Sequence, residues 1–280
     1  MSWRARGALV ACLAGAAAVF PWTAAAQSFV AQPQHYMLTT DAYDARAVWL
    51  QPAGLSRLRE ASFAGLATAD GSGGLSQYGL MLSSGGLGAG WQHDRKVGNG
   101  TDVFTIGYGV GGPRAGLGAD HRWYKGSGAH DGSWDFGARF SPAPMLELSV
   151  VWRDLGDPVS YVDTLGTPHT INSTLVPGAA LDLFGRVRVG AEWEVVTDTW
   201  GTSAVRLGAS AHLAGALSLA VRGDFSSKFD GRAFALALTW NAPLSRATAF
   251  ATRVKGGPDH FGSYLAAVRD LSRTARGPFR

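Results

Sequence analysis

Charge is scarce in this 280-residue chain. Only 16% of its residues are Asp, Glu, Lys or Arg, against roughly 25% in soluble domains, which argues against a fully hydrated enzyme surface. Cysteine is almost missing: Cys12 is the single one, so neither a disulfide framework nor a thiolate metal site can be built. After residue 26 no run of about 18 apolar residues occurs, which excludes a membrane-crossing helix. The basic excess is a formal +4 spread along the chain, without a basic patch interleaved with aromatics, so no nucleic-acid partner is expected. The nucleophile elbow Gly-x-Ser-x-Gly and the zinc pattern His-Glu-x-x-His are both missing. The histidines (His35, His93, His121, His130, His169, His212 and His260) are dispersed. Gly86-Leu-Gly88-Ala-Gly90 and Gly107-Tyr-Gly109-Val-Gly111 do not open a helix in a βαβ unit, so they are read as strand glycines permitting curvature and close packing. No catalytic set, cofactor or metal site follows, and an enzyme is not expected.

Glycine and tryptophan are abundant, at 38 and 10 residues. The first 26 residues have the layout of a signal peptide: Arg4 and Arg6, an apolar run from Ala8 to Phe20, and Ala24-Ala25-Ala26 as a cleavage site. Leu9-Val10-Ala11-Cys12 also resembles a lipoprotein lipobox, but its preceding apolar stretch is very short and cleavage after Ala26 is expected. An exported chain without a spanning helix can still enter a membrane as a closed barrel, because an open sheet edge would leave backbone groups unpaired in hydrocarbon.

Gly185 to Val196, GRVRVGAEWEVV, shows the dominant pattern. Val187, Val189, Ala191, Trp193 and Val195 fall on one face of an extended strand, and Arg186, Arg188, Gly190, Glu192 and Glu194 on the other. Fourteen such ribbons are predicted, at 61–69, 75–83, 86–94, 101–110, 114–125, 132–140, 145–154, 174–183, 186–197, 203–213, 216–226, 231–240, 247–255 and 260–269. The last also fits helical spacing, through Phe261, Tyr264, Leu265 and Val268. The second face holds Gly, Ala and Ser with occasional charges, not the Lys, Glu and Thr of a soluble sandwich. Small residues beside sparse charges suit a barrel interior, and the large apolar face then meets lipid. Trp91, Trp123, Trp134, Trp152, Trp193 and Trp240 lie on the apolar faces, where interfacial girdles would form. Turns after even-numbered ribbons are short and those after odd-numbered ribbons are mostly longer, as expected of an outer-membrane barrel with both termini in the periplasm. The expected fold is thus an all-β, transmembrane antiparallel β-barrel of about 14 strands. The expected organisation is a signal peptide (1–26), an N-terminal hatch or periplasmic segment (27–60), the barrel (61–270) and a tail (271–280). Within the first of these mature parts, 41–58 has room for a short helix broken at Pro52.

Candidate lumen-facing residues are Arg186, Arg188, Glu192, Glu194, Arg206, Arg222 and Asp224, which share the polar faces of three successive ribbons. They are expected to form a cross-strand charge network that fills and stiffens the lumen; the other reading is a pore lining that sets selectivity.

Asp41 to Leu55, DAYDARAVWLQPAGL, resembles a motif near the mature N-terminus of a large outer-membrane group that includes the long-chain fatty-acid transporters (FadL-type) and the secretion-associated PorV-like barrels. The group's pattern is an acidic, alanine-rich stretch, a large residue, then Asn-Pro-Ala-Gly-Leu. Trp49, Gln51, Pro52, Ala53, Gly54 and Leu55 match it as a hatch motif, with Gln51 in place of the Asn. The segments 118–125 and 134–142 resemble ribbons of the same group. The resemblance implies a fourteen-stranded barrel with a plug-like N-terminal segment in its lumen, located in the cell outer membrane. It implies passage or binding of hydrophobic small molecules, or alternatively a PorV-like structural barrel serving secretion partner proteins, with the 155–173 loop, including Tyr161 and Ile171, as the partner surface. A soluble secreted β-domain is the remaining reading. The implied partners are outer-membrane lipid and either a hydrophobic small molecule or a partner protein.

Overall fold

A computed structural model describes residues 36–57, 60–71, 73–95, 100–126, 132–156, 159–162, 168–257 and 259–270. The segment expected to be a signal peptide, with Cys12, and residues 271–280 lie outside them. Fourteen strands form one closed barrel. They are β1 (Glu60–Asp70), β2 (Leu75–Ser84), β3 (Leu87–Asp94), β4 (Thr101–Gly111), β5 (Ala115–Lys125), β6 (Gly132–Ala143) and β7 (Leu146–Leu155). After an inserted hairpin of β8 (Val159–Val162) and β9 (Pro168–Ile171) come β10 (Thr174–Leu183), β11 (Val187–Val196), β12 (Gly201–Ala214), β13 (Leu217–Phe225), β14 (Gly231–Ala242), β15 (Ser245–Val254) and β16 (His260–Asp270). Every neighbour pairs antiparallel, and β16 closes on β1 with Glu60 opposite Asp270 and Asp70 opposite His260. Closure leaves no sheet edge to hydrogen-bond water, which is the condition for crossing hydrocarbon. The final ribbon is therefore a strand, not a helix.

One rim carries turns of two or three residues, such as Gly85–Gly86 and Pro243–Leu244; the other carries the longer loops. The longest connection, between β7 and β10, contains the β8–β9 hairpin, paired from Val159–Ile171 to Val162–Pro168. Its strands are too short to show a period in sequence. Ile171, expected on a partner surface, packs against the buried cluster inside the barrel. Pro177 sits in mid-β10 with Val150 as its β7 partner. It has no N–H for the ladder, and the β10–β11 pairing is interrupted there and resumes in the same register, from Leu175–Val195 to Gly178–Glu192.

The alternation predicted from sequence sorts side chains as barrel physics requires. On β4, Phe104, Ile106, Tyr108 and Val110 point out and are 43–58% exposed, while Val103 and Thr105 are buried inside. Leu80, Leu82, Leu117, Phe136, Leu148, Leu207, Leu236, Leu238 and Leu265 continue the outer band around the wall. An apolar surface this extensive far exceeds what a water-facing monomer shows; lipid is its natural contact. Aromatics gather near the long-loop rim. The His121 ring lies 4.3 Å from Trp123 and 4.6 Å from Trp134, and Trp134 stacks on Phe136 at 6.2 Å. Trp91 donates its indole N–H to Asp102 and Trp152 to Ser173, each at 2.9 Å. Apolar rings with a polar tip turned toward the rim are the arrangement favoured at a membrane–water boundary.

Candidate functional site: the plugged lumen

Residues 36–57 run inside the barrel and are almost all buried. They form a 3-10 turn at Thr39–Asp41, one α-helical turn, α1 (Ala47–Leu50), and a 3-10 segment at Pro52–Arg57. Proline at 52 ends the helical turn because its ring cannot continue the ladder. Gly54 is demanded by packing, since a Cβ there would collide with the Ala42 carbonyl oxygen.

The wall has been hollowed to receive this segment. A Cβ at Gly109 would lie 2.6 Å from Ser56 N and 2.8 Å from Pro52 O, and one at Gly90 would lie 2.7 Å from the Trp49 ring. Gly118 faces the Pro52–Ala53 peptide, Gly88 faces Leu55, and Gly190 and Gly208 face Leu38. Of the glycines read from sequence as permitting curvature and close packing, Gly88, Gly90, Gly107 and Gly109 abut the plug, whereas Gly86 and Gly111 meet neighbouring strands. Glycine lets two backbones come close where any side chain would hold them apart.

Polar anchors complete the seat. The last carbonyls of α1 have no helical donor. Arg122 donates to Trp49 O at 2.9 Å and Arg153 to Leu50 O at 3.1 Å, placing cations where the helix-end dipole favours them. Gln51 donates to the wall carbonyls of Ala138 and Val150, both at 3.2 Å, and accepts from Ala53 N at 3.3 Å. Trp49, Gln51, Pro52, Ala53, Gly54 and Leu55 are thus all buried between plug and wall.

Among the described residues, ionic clusters line the lumen. In the first, Glu147 accepts from Tyr43, from Arg57 at 2.9 Å and from Arg139 at 3.3 Å, with Arg188 at 3.5 Å. Arg188 also reaches Asp41 at 2.8 Å and Asp182 at 2.6 Å. In the second, Arg206 bridges Glu192 at 3.1 Å and Glu194, and Glu192 also accepts from Thr39 N at 2.8 Å. Arg222 chelates Asp224 through two bonds of 2.7 Å and donates to Met37 O. In the third, Arg122 pairs with Asp135 and stands 3.6 Å from Asp120. Arg188, Glu192, Glu194, Arg206, Arg222 and Asp224 all face the lumen, whereas Arg186 lies exposed in the Phe184–Arg186 turn at its mouth.

Sequence reasoning did not single out Tyr43, Asp44, Arg46, Arg122, Arg139, Glu147, Arg153 or Arg246. The last five of these occupy inward positions of their strands, so the alternation that assigned the faces was the available signal. Asp44 is held by Arg46 at 2.6 Å and Arg246 at 2.7 Å. Burial pushes its carboxyl up, but the two guanidiniums outweigh burial and hold it below the ordinary carboxylate range. Among the described residues no group of three His, Cys, Asp or Glu is arranged to hold a metal ion.

At the short-turn mouth two clefts flank the plug, of about 460 Å³ and about 580 Å³. They share Tyr43, Pro144, Asp182 and Arg188. Deeper in, Tyr36, Met37, Val48, Trp49 and Leu50 pack with Leu66, Met81, Val103, Phe250 and Tyr264 in one buried apolar cluster.

No protein-family profile and no curated protein matches the sequence. Solved structures do match the fold. The Pseudomonas putida toluene transporter TodX aligns at a TM-score of 0.54 and 10% identity, over 84% of this chain and 95% of its own. A TodX deletion mutant, described as a monoaromatic hydrocarbon channel, aligns at 0.53 and 10% identity, over 80% of this chain and 94% of its own. At that identity the likeness shows a shared barrel architecture.

Proposed function

We propose that the protein is an outer-membrane channel that takes hydrophobic small molecules across or into the membrane, with residues 36–57 as a seated plug. The observation that carries this reading is the filled lumen. A porin for ions and sugars needs a wide aqueous path, whereas here plug and wall interlock through glycines, ionic clusters and an apolar core. An apolar solute needs no such path, because it can move along apolar side chains without a hydration shell. The hatch motif and the barrel likeness to TodX support the same assignment, and the outer-membrane location follows from it, as does the placing of the short-turn rim in the periplasm. Uptake of a labelled alkane into liposomes containing the purified protein tests the reading. Uptake above that of protein-free vesicles is expected; equality of the two would refute it.

A further inference from the structure

The plug meets the wall through two different seams. Toward β3–β7 the contact is backbone on backbone, at Gly109 and Gly118, and is fastened by Arg122, Arg153 and Gln51. Sliding there would break several buried bonds together and drive main chain into main chain. Toward β14–β16 and β1 the inward wall is built of buried Ala64, Ala235, Ala237 and Ala266. The plug is joined to this side through rings, a guanidinium and the Asp44–Arg246 ion pair at 2.7 Å. Tyr36 packs on Phe250 with centroids 5.0 Å apart, and the Arg46 guanidinium lies 4.3 Å from the Tyr264 ring. Arg46 also donates to the Tyr36 hydroxyl. Phe250 lies over Gly262 of the neighbouring strand, where any Cβ would strike its ring. The Tyr36–Phe250 contact can be broken by side-chain rotation while Asp44 keeps Arg46 and Arg246 in place, and both rings belong to the same buried cluster as these alanines.

We propose that the Tyr36–Phe250 ring pair is the gate, and that a slim apolar molecule, about one ring thick, passes between these rings and the alanine-lined wall while the plug stays seated on the glycine face and on the Asp44–Arg246 pair. The proposal rests on the channel reading above, and two readouts keep the two apart. The Oγ atoms of Thr39 and Ser149 stand 2.9 Å apart, so a Thr39→Cys/Ser149→Cys pair can be oxidised to tie the plug to β7. In planar bilayers, adding Tyr36→Ala and Phe250→Ala to the oxidised pair should raise ion conductance several-fold over the oxidised pair alone. Phe250→Leu, a milder change, should give a smaller rise in the same direction, and retention of a compact form in unheated gels confirms folding. The oxidised pair alone should keep the alkane uptake of its reduced form. Loss of uptake on oxidation, or no conductance rise in any folded variant, would overturn the gate. A conductance rise without alkane uptake in any form would show that the rings close an ion path and would refute both apolar passage through them and the channel reading.

Discussion

A single methyl group decides whether plug and wall can meet. Gly118→Ala places a Cβ against the Pro52–Ala53 peptide, and overpacking of this kind costs about 1–3 kcal/mol. Gly112, with open space around its Cβ position, is the control, and Gly112→Ala should leave stability unchanged in a urea titration of the purified protein. Asp44 gives a second residue-scale expectation. Its carboxyl titrates below its ordinary value of 3.8 when folded, so the stability it contributes is complete above that value and is lost as pH falls through the lower folded one. The stability difference between the parent and Asp44→Asn should therefore shrink on acidification below about pH 4. A difference that grew instead would contradict the ion-pair assignment. Residue by residue, the faces of the strands were legible because alternation is local: Ile106 out and Thr105 in needs only the neighbours in sequence. The partners of the glycines were not. Nothing near Gly109 in sequence points to Ser56, so close packing was foreseeable there and its partner was not.

At the scale of the element, the plug holds by charge at one end and by shape at the other. Glu147 collects Tyr43, Arg57 and Arg139. Glu147→Ala would leave the buried Arg139 guanidinium without its carboxylate, a loss of about 3–5 kcal/mol. Limited proteolysis should then cut within residues 36–57 faster than in the parent, while the strands stay intact. The plug has no hydrophobic period to betray its path; its partners lie as far as 202 positions away, at Arg246, and only the likeness of its motif suggested a hatch. The wall strands have opposite requirements on their two faces. Ile106→Arg, in mid-β4 and 58% exposed, should cost about 2–4 kcal/mol in lipid. Ala237→Arg should cost at least as much, because Ala237 is 1% exposed and its neighbourhood is packed rather than roomy. Refolding yields into lipid vesicles over a urea series would rank the two.

At the scale of the whole molecule, every feature follows from one inversion. The large apolar side chains are outside and the charges inside, the reverse of a water-soluble domain. Closure of β1 on β16 removes the open edges, aromatic rings mark the boundary near the long-loop rim, and buried ion pairs with the plug occupy the lumen that water would otherwise fill. The strand count and the alternation of short and long connections could be read from the chain because each is set by spacing along it. The eccentric seat of the plug could not, since it depends on which faces meet after closure. Single-tryptophan variants in vesicles of brominated lipid test the inversion most directly. Trp193 is 44% exposed on the outer face and Trp49 is 1% exposed in the plug. A variant keeping only Trp193 should be strongly quenched and one keeping only Trp49 scarcely at all; equal quenching of the two, or none at Trp193, would contradict the account.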